Sequence, residues 1–240
     1  MFFNIKRNRV HEIDKTNLPM HIGIIMDGNG RWAKKRGMPR NVGHRAGAEV
    51  LKKITTYCDE IGIKAVTAYT FSTENWKRPQ SEIDGIMALL REYLTDYKKN
   101  LGDKNAVIKV IGDRSVLDDD IQELMAKTEE FTANNTGVVL SLAINYGGQD
   151  EIIRSVKESL EKGEEITAEN IEKHLYTNEL PPVDLIIRPS GEKRLSNFLL
   201  WQSAYAELWY DDVLWPDFTV KDLNRAIADY QKRNRRYGGV

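Results

Sequence analysis

Short apolar runs alternate along this chain with longer stretches whose apolar positions recur every three or four residues, a pattern that predicts strands interleaved with helices. Residues 21–26, 64–71, 106–111, 138–144, 184–187 and 208–210 read as strands. Residues 43–61 place Val50, Ile54, Cys58 and Ile61 on one helical face, and Ser81 with Asp84 reads as the cap of a helix running to about Lys98. Further helical patterns follow Asp118 to about Phe131, carry Ile152, Ile153, Val156 and Leu160, hold Ile171 and Leu175, and start at Thr219 with Leu223, Ile227 and Tyr230 on one face. Strands and helices alternating at these intervals predict an α/β fold: a single domain with a central, mostly parallel six-stranded sheet flanked by helices. In residues 83–97, Ile83, Ile86, Met87, Leu89, Leu90, Tyr93, Leu94 and Tyr97 form a stripe wider than one packing face needs. It is either core or a wall lining an apolar cavity.

At 240 residues the chain is long enough for one well-buried core. Residues 19–240 read as one domain behind a flexible N-terminal segment, residues 1–18. The formal charge of −1 excludes a globally basic nucleic-acid binder, so any anion site is a local cluster. Cys58 is the sole cysteine and sits in a helical apolar pattern, which excludes a disulfide framework and fits a buried thiol in a reducing cytoplasm. No leader-like apolar region or membrane-length apolar stretch is expected, and Lys6, Arg7 and Arg9 read as a short solvated end rather than a lipid anchor.

Unusual polar clusters follow four of the strands: Asp27-Gly28-Asn29-Gly30-Arg31, residues 72–78, Asn145-Tyr146-Gly147-Gly148, and residues 188–196. In a parallel sheet these ends share one edge, so they line one cleft. Gly28 and Gly30 admit close backbone approach, and Arg31, Arg40 and His44 near the next helix form a candidate anion site. Arg188, Arg194 and the Ser196 hydroxyl form a second, since a guanidinium fork matches phosphate oxygens. Two such sites with two acids, Asp27 and Glu207, point to two phosphorylated groups bridged by Mg2+. The chain lacks a P-loop and a complete dinucleotide fingerprint, and the His21/His44 pair lacks zinc-ligand spacing. A phosphohydrolase with Asp27 as nucleophile stays open as an alternative. The acids Asp118, Asp119 and Asp120 read as helix N-terminal residues rather than a metal site.

The blocks from His21 to Ala33, Gly43-His44, Phe71 to Trp76, Asn145 to Gly148, Ser196 to Gln202 and Val213 to Phe218 together resemble the cis-prenyltransferase family, and within it the bacterial undecaprenyl diphosphate synthases, over nearly all of residues 21–239. The resemblance implies a transferase that adds isopentenyl diphosphate to an allylic primer, farnesyl diphosphate, in successive cis condensations. It also implies a long-chain polyprenyl product for the lipid carrier of cell-wall peptidoglycan precursors; a shorter-chain synthase, or a non-catalytic supporting subunit, is the alternative within the family. By the same resemblance Asp27 is the essential acid and, with Glu207, the Mg2+ ligand, and Asn75 assists proton loss. Gly28, Asn29, Gly30, Arg31, Arg40 and His44 belong to the allylic site, Trp32 and Arg36 are further substrate-binding residues, and the apolar stripe of residues 83–97 is one wall of a hydrophobic tunnel for the growing chain. Ser72, Thr73, Glu74, Trp76 and Arg78 belong to a mobile substrate-binding loop, and Arg188, Arg194 and Ser196 to the isopentenyl site. Arg236 and Gly238 resemble a C-terminal motif reaching a diphosphate across a homodimer interface, with peripheral membrane contact serving product release. The family's usual threonine is Pro189 here, and its usual tunnel-mouth alanine is Thr70.

Overall fold

The computed structural model describes residues 12–95 and 105–233. Its six strands are β1 (His21–Ile25), β2 (Ala65–Ser72), β3 (Val107–Ile111), β4 (Val139–Tyr146), β5 (Leu185–Arg188) and β6 (Glu207–Tyr210). They form one sheet in the order β3-β4-β2-β1-β5-β6, and every ladder is parallel. All strand carboxyl ends therefore lie along one edge. Every residue of β1 is buried, which explains why this central strand reads as a continuous apolar run rather than as an alternation.

The helices are α1 (Asn29–Lys35), α2 (Arg40–Ile61), α3 (Gln80–Thr95), α4 (Asp119–Thr132), α5 (Gly148–Glu161), α6 (Ala168–Lys173) and α7 (Val220–Gln231). Ile22 and Ile24 of β1 belong to the core that also takes Ile54 and Cys58 of α2 and Ile227 of α7, while Ile25 belongs to a second cluster with Ile186 and Phe198. A third cluster joins α3 and α4 to Phe71 and Ile144. Burial pushes the Cys58 thiol up to about 12, so it is an inert core residue.

Several local expectations are corrected. Ser81 does not cap α3, because Pro79, which cannot donate a backbone hydrogen bond, supplies the first-turn carbonyl and α3 begins at Gln80. The helix read as starting at residue 43 begins at Arg40, and α1 ahead of it was not expected. Tyr97, at the end of the apolar stripe, lies outside the described residues. Asp118 precedes α4, and Arg91 holds Asp118 and Asp120 at 2.5 Å each, which gives the acidic run a structural role. Residues 13–18 are tied to the rest: Ile13 and Leu18 pack on the main core, and the Gln231 side-chain amide donates to the carbonyls of Asp14 and Asn17 at 2.6 and 2.7 Å.

The chain leaves β1 toward β2 on one side, while β5 lies on the other side of β1 and continues outward to β6. The gap above β1 and β5 is thus the switch point of the sheet, where parallel α/β folds open a crevice for ligands. Asp27 and Arg188 stand at its two sides.

Candidate active site

Asp27 is fixed by its backbone before its side chain does anything. Its N–H donates to the Ile25 carbonyl at 2.8 Å, and its own carbonyl accepts from the Trp215 N–H at 3.0 Å. Gly28 turns the chain with φ 104°, and a Cβ there would meet Leu214 Cδ2 at 2.9 Å, so both conformation and space require glycine. The Asp27 carboxylate accepts from Arg31 Nη2 at 3.0 Å on Oδ1 and from Arg188 Nη2 at 2.9 Å on Oδ2. Burial raises its carboxyl pKa, but the bonds from Arg188, Ser190 and Arg31 outweigh burial and hold it below the ordinary value. Asp27 is therefore an ionised acid at neutral pH.

Arg188 is the buried hub of the second cluster, its side chain 5% exposed. Its Nη1 donates to the Arg194 carbonyl at 2.5 Å and to Ser196 Oγ at 2.7 Å, and among the described residues its buried Nε has no partner. Arg31 extends the same network by donating to the Ser190 carbonyl and hydroxyl at 3.1 and 2.7 Å. Ser190, Ser196, Asn197, Leu199 and Asn145 all have positive φ without being glycine; the first four lie on the segment that follows β5, and Asn145 is the penultimate residue of β4. Backbone in this costly region, gathered at one rim, marks a loop held in shape for a task.

The first cluster is also assembled. Arg40, His44 and Arg78 line the cleft together with Gly28, Asn29 and Gly30. All three engage Glu82, a residue the sequence reading passed over: Arg40 Nε at 2.8 Å, Arg78 Nη1 at 2.8 Å and His44 Nε2 at 3.2 Å. Burial lowers the His44 pKa more than Glu82 raises it, so its ring is neutral at pH 7. Helices α1 and α2 approach closely here, because a Cβ on Gly43 would lie 2.1 Å from the Asn29 carbonyl oxygen. Gly43→Ala is therefore expected to destabilise the protein by about 1–3 kcal/mol, despite about 1 kcal/mol of better helix propensity. Urea unfolding measures this, and a stabilised variant would refute the close packing.

The loop after β2 forms a short 3-10 turn, Thr73–Lys77. The Ser72 N–H donates to Asn75 Oδ1 at 3.3 Å, Trp76 Nε1 donates to Asn145 Oδ1 at 2.8 Å, and Glu74 accepts from Asn197 Nδ2 at 2.9 Å. Ser72, Glu74, Asn75 and Arg78 line the cleft, whereas Thr73 and Trp76 do not; Trp76 is exposed and sets its ring edge-on to Phe71. Tyr69, also unforeseen, lines the cleft and donates to the Ser196 and Tyr146 carbonyls at 3.2 Å each.

Other expected residues are not brought to the cleft. Trp32 Nε1 donates to Asp217 at 2.7 Å, and Arg36 pairs with Asp217 at 3.2 Å while stacking on the Trp32 ring. Glu207 opens β6 in register with Leu185, whereas Arg188 is level with Tyr210, so Glu207 sits toward the opposite edge of the sheet from Asp27. It pairs there with Arg233. Arg236 and Gly238 lie outside the described residues. Among the described residues no group of three or more His, Cys, Asp or Glu could hold a metal ion. Asp27 supplies one carboxylate, which fits Mg2+ completing its shell with substrate phosphate oxygens and water.

The cleft encloses about 600 Å³. Beneath it, an apolar cavity of about 120 Å³ shares Met26, Asn29, His44 and Thr70 with the cleft and is walled by α2, α3 and β4. A further cavity of about 90 Å³ shares Leu90, Tyr93 and Leu142 with the first and reaches Ile108 and Thr128. The wide stripe of α3 and the positions Leu140, Leu142 and Ile144 line these spaces.

Residues 25–238 match the family model for prenyltransferases described as undecaprenyl diphosphate synthase. An isoprenyl transferase of Clostridium tetani is 51% identical over 95% of this chain and 92% of its own length. The ditrans,polycis-undecaprenyl-diphosphate synthase of Haemophilus influenzae, specific for (2E,6E)-farnesyl diphosphate, is 48% identical over 95% of this chain and 99% of its own. The crystal structure of lavandulyl diphosphate synthase from Lavandula x intermedia, in complex with dimethylallyl diphosphate, superposes with a TM-score of 0.88 at 34% identity, covering 93% of this chain and all of that one.

Proposed function

The chain belongs to the prenyltransferase family of undecaprenyl diphosphate synthases, and from that premise we propose that its cleft condenses farnesyl diphosphate with isopentenyl diphosphate. The observation that carries this reading is the Asp27–Arg188 contact at 2.9 Å across the switch point, because with the Asp27–Arg31 contact at 3.0 Å it sets one acid between Arg31, which follows β1, and Arg188, which ends β5. One diphosphate is held by the Gly28–Gly30 backbone with Arg40, His44 and Arg78. The other is held by Arg188, Arg194 and Ser196.

The residues divide the work as follows. The allylic carbon–oxygen bond breaks, and its electron pair leaves with the diphosphate, whose growing charge the arginines and backbone amides stabilise in a water-poor cleft. Asp27 would hold Mg2+, which would supply further neutralisation of that leaving charge. The isopentenyl double bond attacks the freed carbon, and the carbon beside the resulting cationic centre of the isopentenyl unit gives up a proton, which the released diphosphate accepts with Asn75 assisting. The apolar cavities beneath Thr70 take up the lengthening chain. Asp27 serves poorly as a nucleophile, since both its oxygens are engaged by guanidinium groups. This argues against the phosphohydrolase reading.

A homodimer in the cytoplasm completes the proposal, as the resemblance of Arg236 and Gly238 to the family's C-terminal motif implies. It is supported by an apolar groove of about 1000 Å³ on the far side of the molecule, where Met20 and Tyr205 are exposed. Among the described residues no helix is long and apolar enough to cross a membrane. Chromatography of the product against polyprenyl standards tests the function. A long-chain cis product is expected; a single-addition product would move the chain to the shorter-chain synthases.

A further inference from the structure

Glu82 stands in the first turn of α3 with its side chain 6% exposed, yet it does not line the cleft. It lies behind two arginines and a histidine that do. Arg40 reaches it with Nε at 2.8 Å and Nη2 at 3.1 Å, Arg78 with Nη1 at 2.8 Å, and His44 with Nε2 at 3.2 Å. These partners come from different parts of the chain: Arg40 and His44 from the start of α2, and Arg78 from the end of the 3-10 turn after β2. One buried carboxylate thus ties two helices and a loop at the wall of the cleft.

A charge this buried persists only when paired, and the pairing works both ways. Without Glu82, two guanidinium groups would face each other with no counter-charge between them, and both have exposed directions in which to swing, being 57% and 34% exposed. With it, Arg40 spends Nε and Nη2 on the carboxylate and keeps Nη1 for a ligand, while its guanidinium lies over Gly30, where a Cβ would come within 2.6 Å of Cζ. A planar fork fixed along one edge offers its remaining donors in a set direction.

We propose that Glu82 is a positioning residue for the allylic diphosphate: it holds Arg40, His44 and Arg78 in a preformed arc opposite the Gly28–Gly30 backbone before the ligand arrives. This rests on the diphosphate reading of the cleft. Preorganised donors lose less freedom on binding, so the effect falls on one substrate. Steady-state kinetics of Glu82→Gln, which keeps the side chain's shape but removes its charge, tests this. KM for farnesyl diphosphate is expected to rise on the order of 10- to 100-fold, as when supporting residues of a ligand shell are lost. KM for isopentenyl diphosphate is expected to stay within about 3-fold, since a second cluster binds it. Binding of inorganic pyrophosphate with Mg2+, measured by calorimetry, is expected to weaken in parallel. An unchanged farnesyl KM, an equal rise for both substrates, or tighter pyrophosphate binding would overturn the proposal. Should Glu82→Gln not fold, Glu82→Asp takes its place, with a farnesyl KM between wild type and the values above expected and a wild-type KM overturning the proposal. If the wild-type protein itself forms no prenyl product, the diphosphate reading fails instead.

Discussion

Asp27→Ala is expected to abolish condensation, lowering kcat/KM by at least about 10³-fold, while the protein remains folded. Removing one preorganised group that faces a developing charge typically costs 10²- to 10³-fold, and Asp27 faces it in two ways. On the proposed reading it would hold Mg2+, and it orients Arg31 and Arg188 through contacts of 3.0 and 2.9 Å. Folding is expected to survive because Arg188 keeps the Arg194 carbonyl and Ser196 Oγ as acceptors and Arg31 keeps Ser190. Asp27→Asn keeps the side chain's shape and one of its two acceptor oxygens but offers no anionic ligand, and it turns an amide NH2 toward one of the two guanidinium groups. Comparable loss in both variants assigns the effect to charge. Wild-type-like turnover in Asp27→Ala would remove Asp27 from the reaction.

Arg188→Ala is expected to have the next largest effect, a drop on the order of 10²-fold in kcat/KM with a raised KM for isopentenyl diphosphate. It carries a second signature in pH. Arg188 is the leading bond holding the Asp27 carboxyl below its ordinary value against the opposing effect of burial. The ionised form is the active one, so wild-type activity falls only when pH drops through that depressed value. In Arg188→Ala burial is less opposed, and the acid limb of the kcat/KM profile is expected to move to higher pH. Stability follows the same sign: a depressed folded-state pKa contributes stability above the unfolded value of about 3.9 that is lost as pH falls through the folded one. That contribution shrinks in the variant. A pH profile coincident with wild type would mean that Arg188 does not control Asp27.

The sheet was legible because buried parallel strands announce themselves as apolar runs, and the cleft was legible because four of those runs stop at glycines and charges. What stayed hidden depends on rotation and register. Asp27 and Arg31 are four residues apart and meet, as helix geometry favours. Trp32 and Arg36 are also four apart, but one position further round the helix they meet Asp217 instead of the cleft. Their closeness in sequence to Asp27 gave no sign of this. Glu207 follows the same logic in a strand: pairing of Leu185 with Glu207 puts the acid at the entry of β6, and no pattern in a four-residue strand reveals register. Glu82 escaped because an acid in a helix's first turn is what the helix dipole favours anyway. Its function shows only once Arg40, His44 and Arg78, up to 42 residues away, are seen to converge on it.

On the proposed reading Asp27 assists the departure of a diphosphate and does not attack one. The direct measurement is to supply Mg2+ with farnesyl diphosphate, isopentenyl diphosphate, or both, and to quantify inorganic pyrophosphate and inorganic phosphate separately. Pyrophosphate is expected only when both substrates are present, in step with the isopentenyl units incorporated into polyprenyl product. Inorganic phosphate released from either substrate by itself, with no prenyl product, would contradict the account.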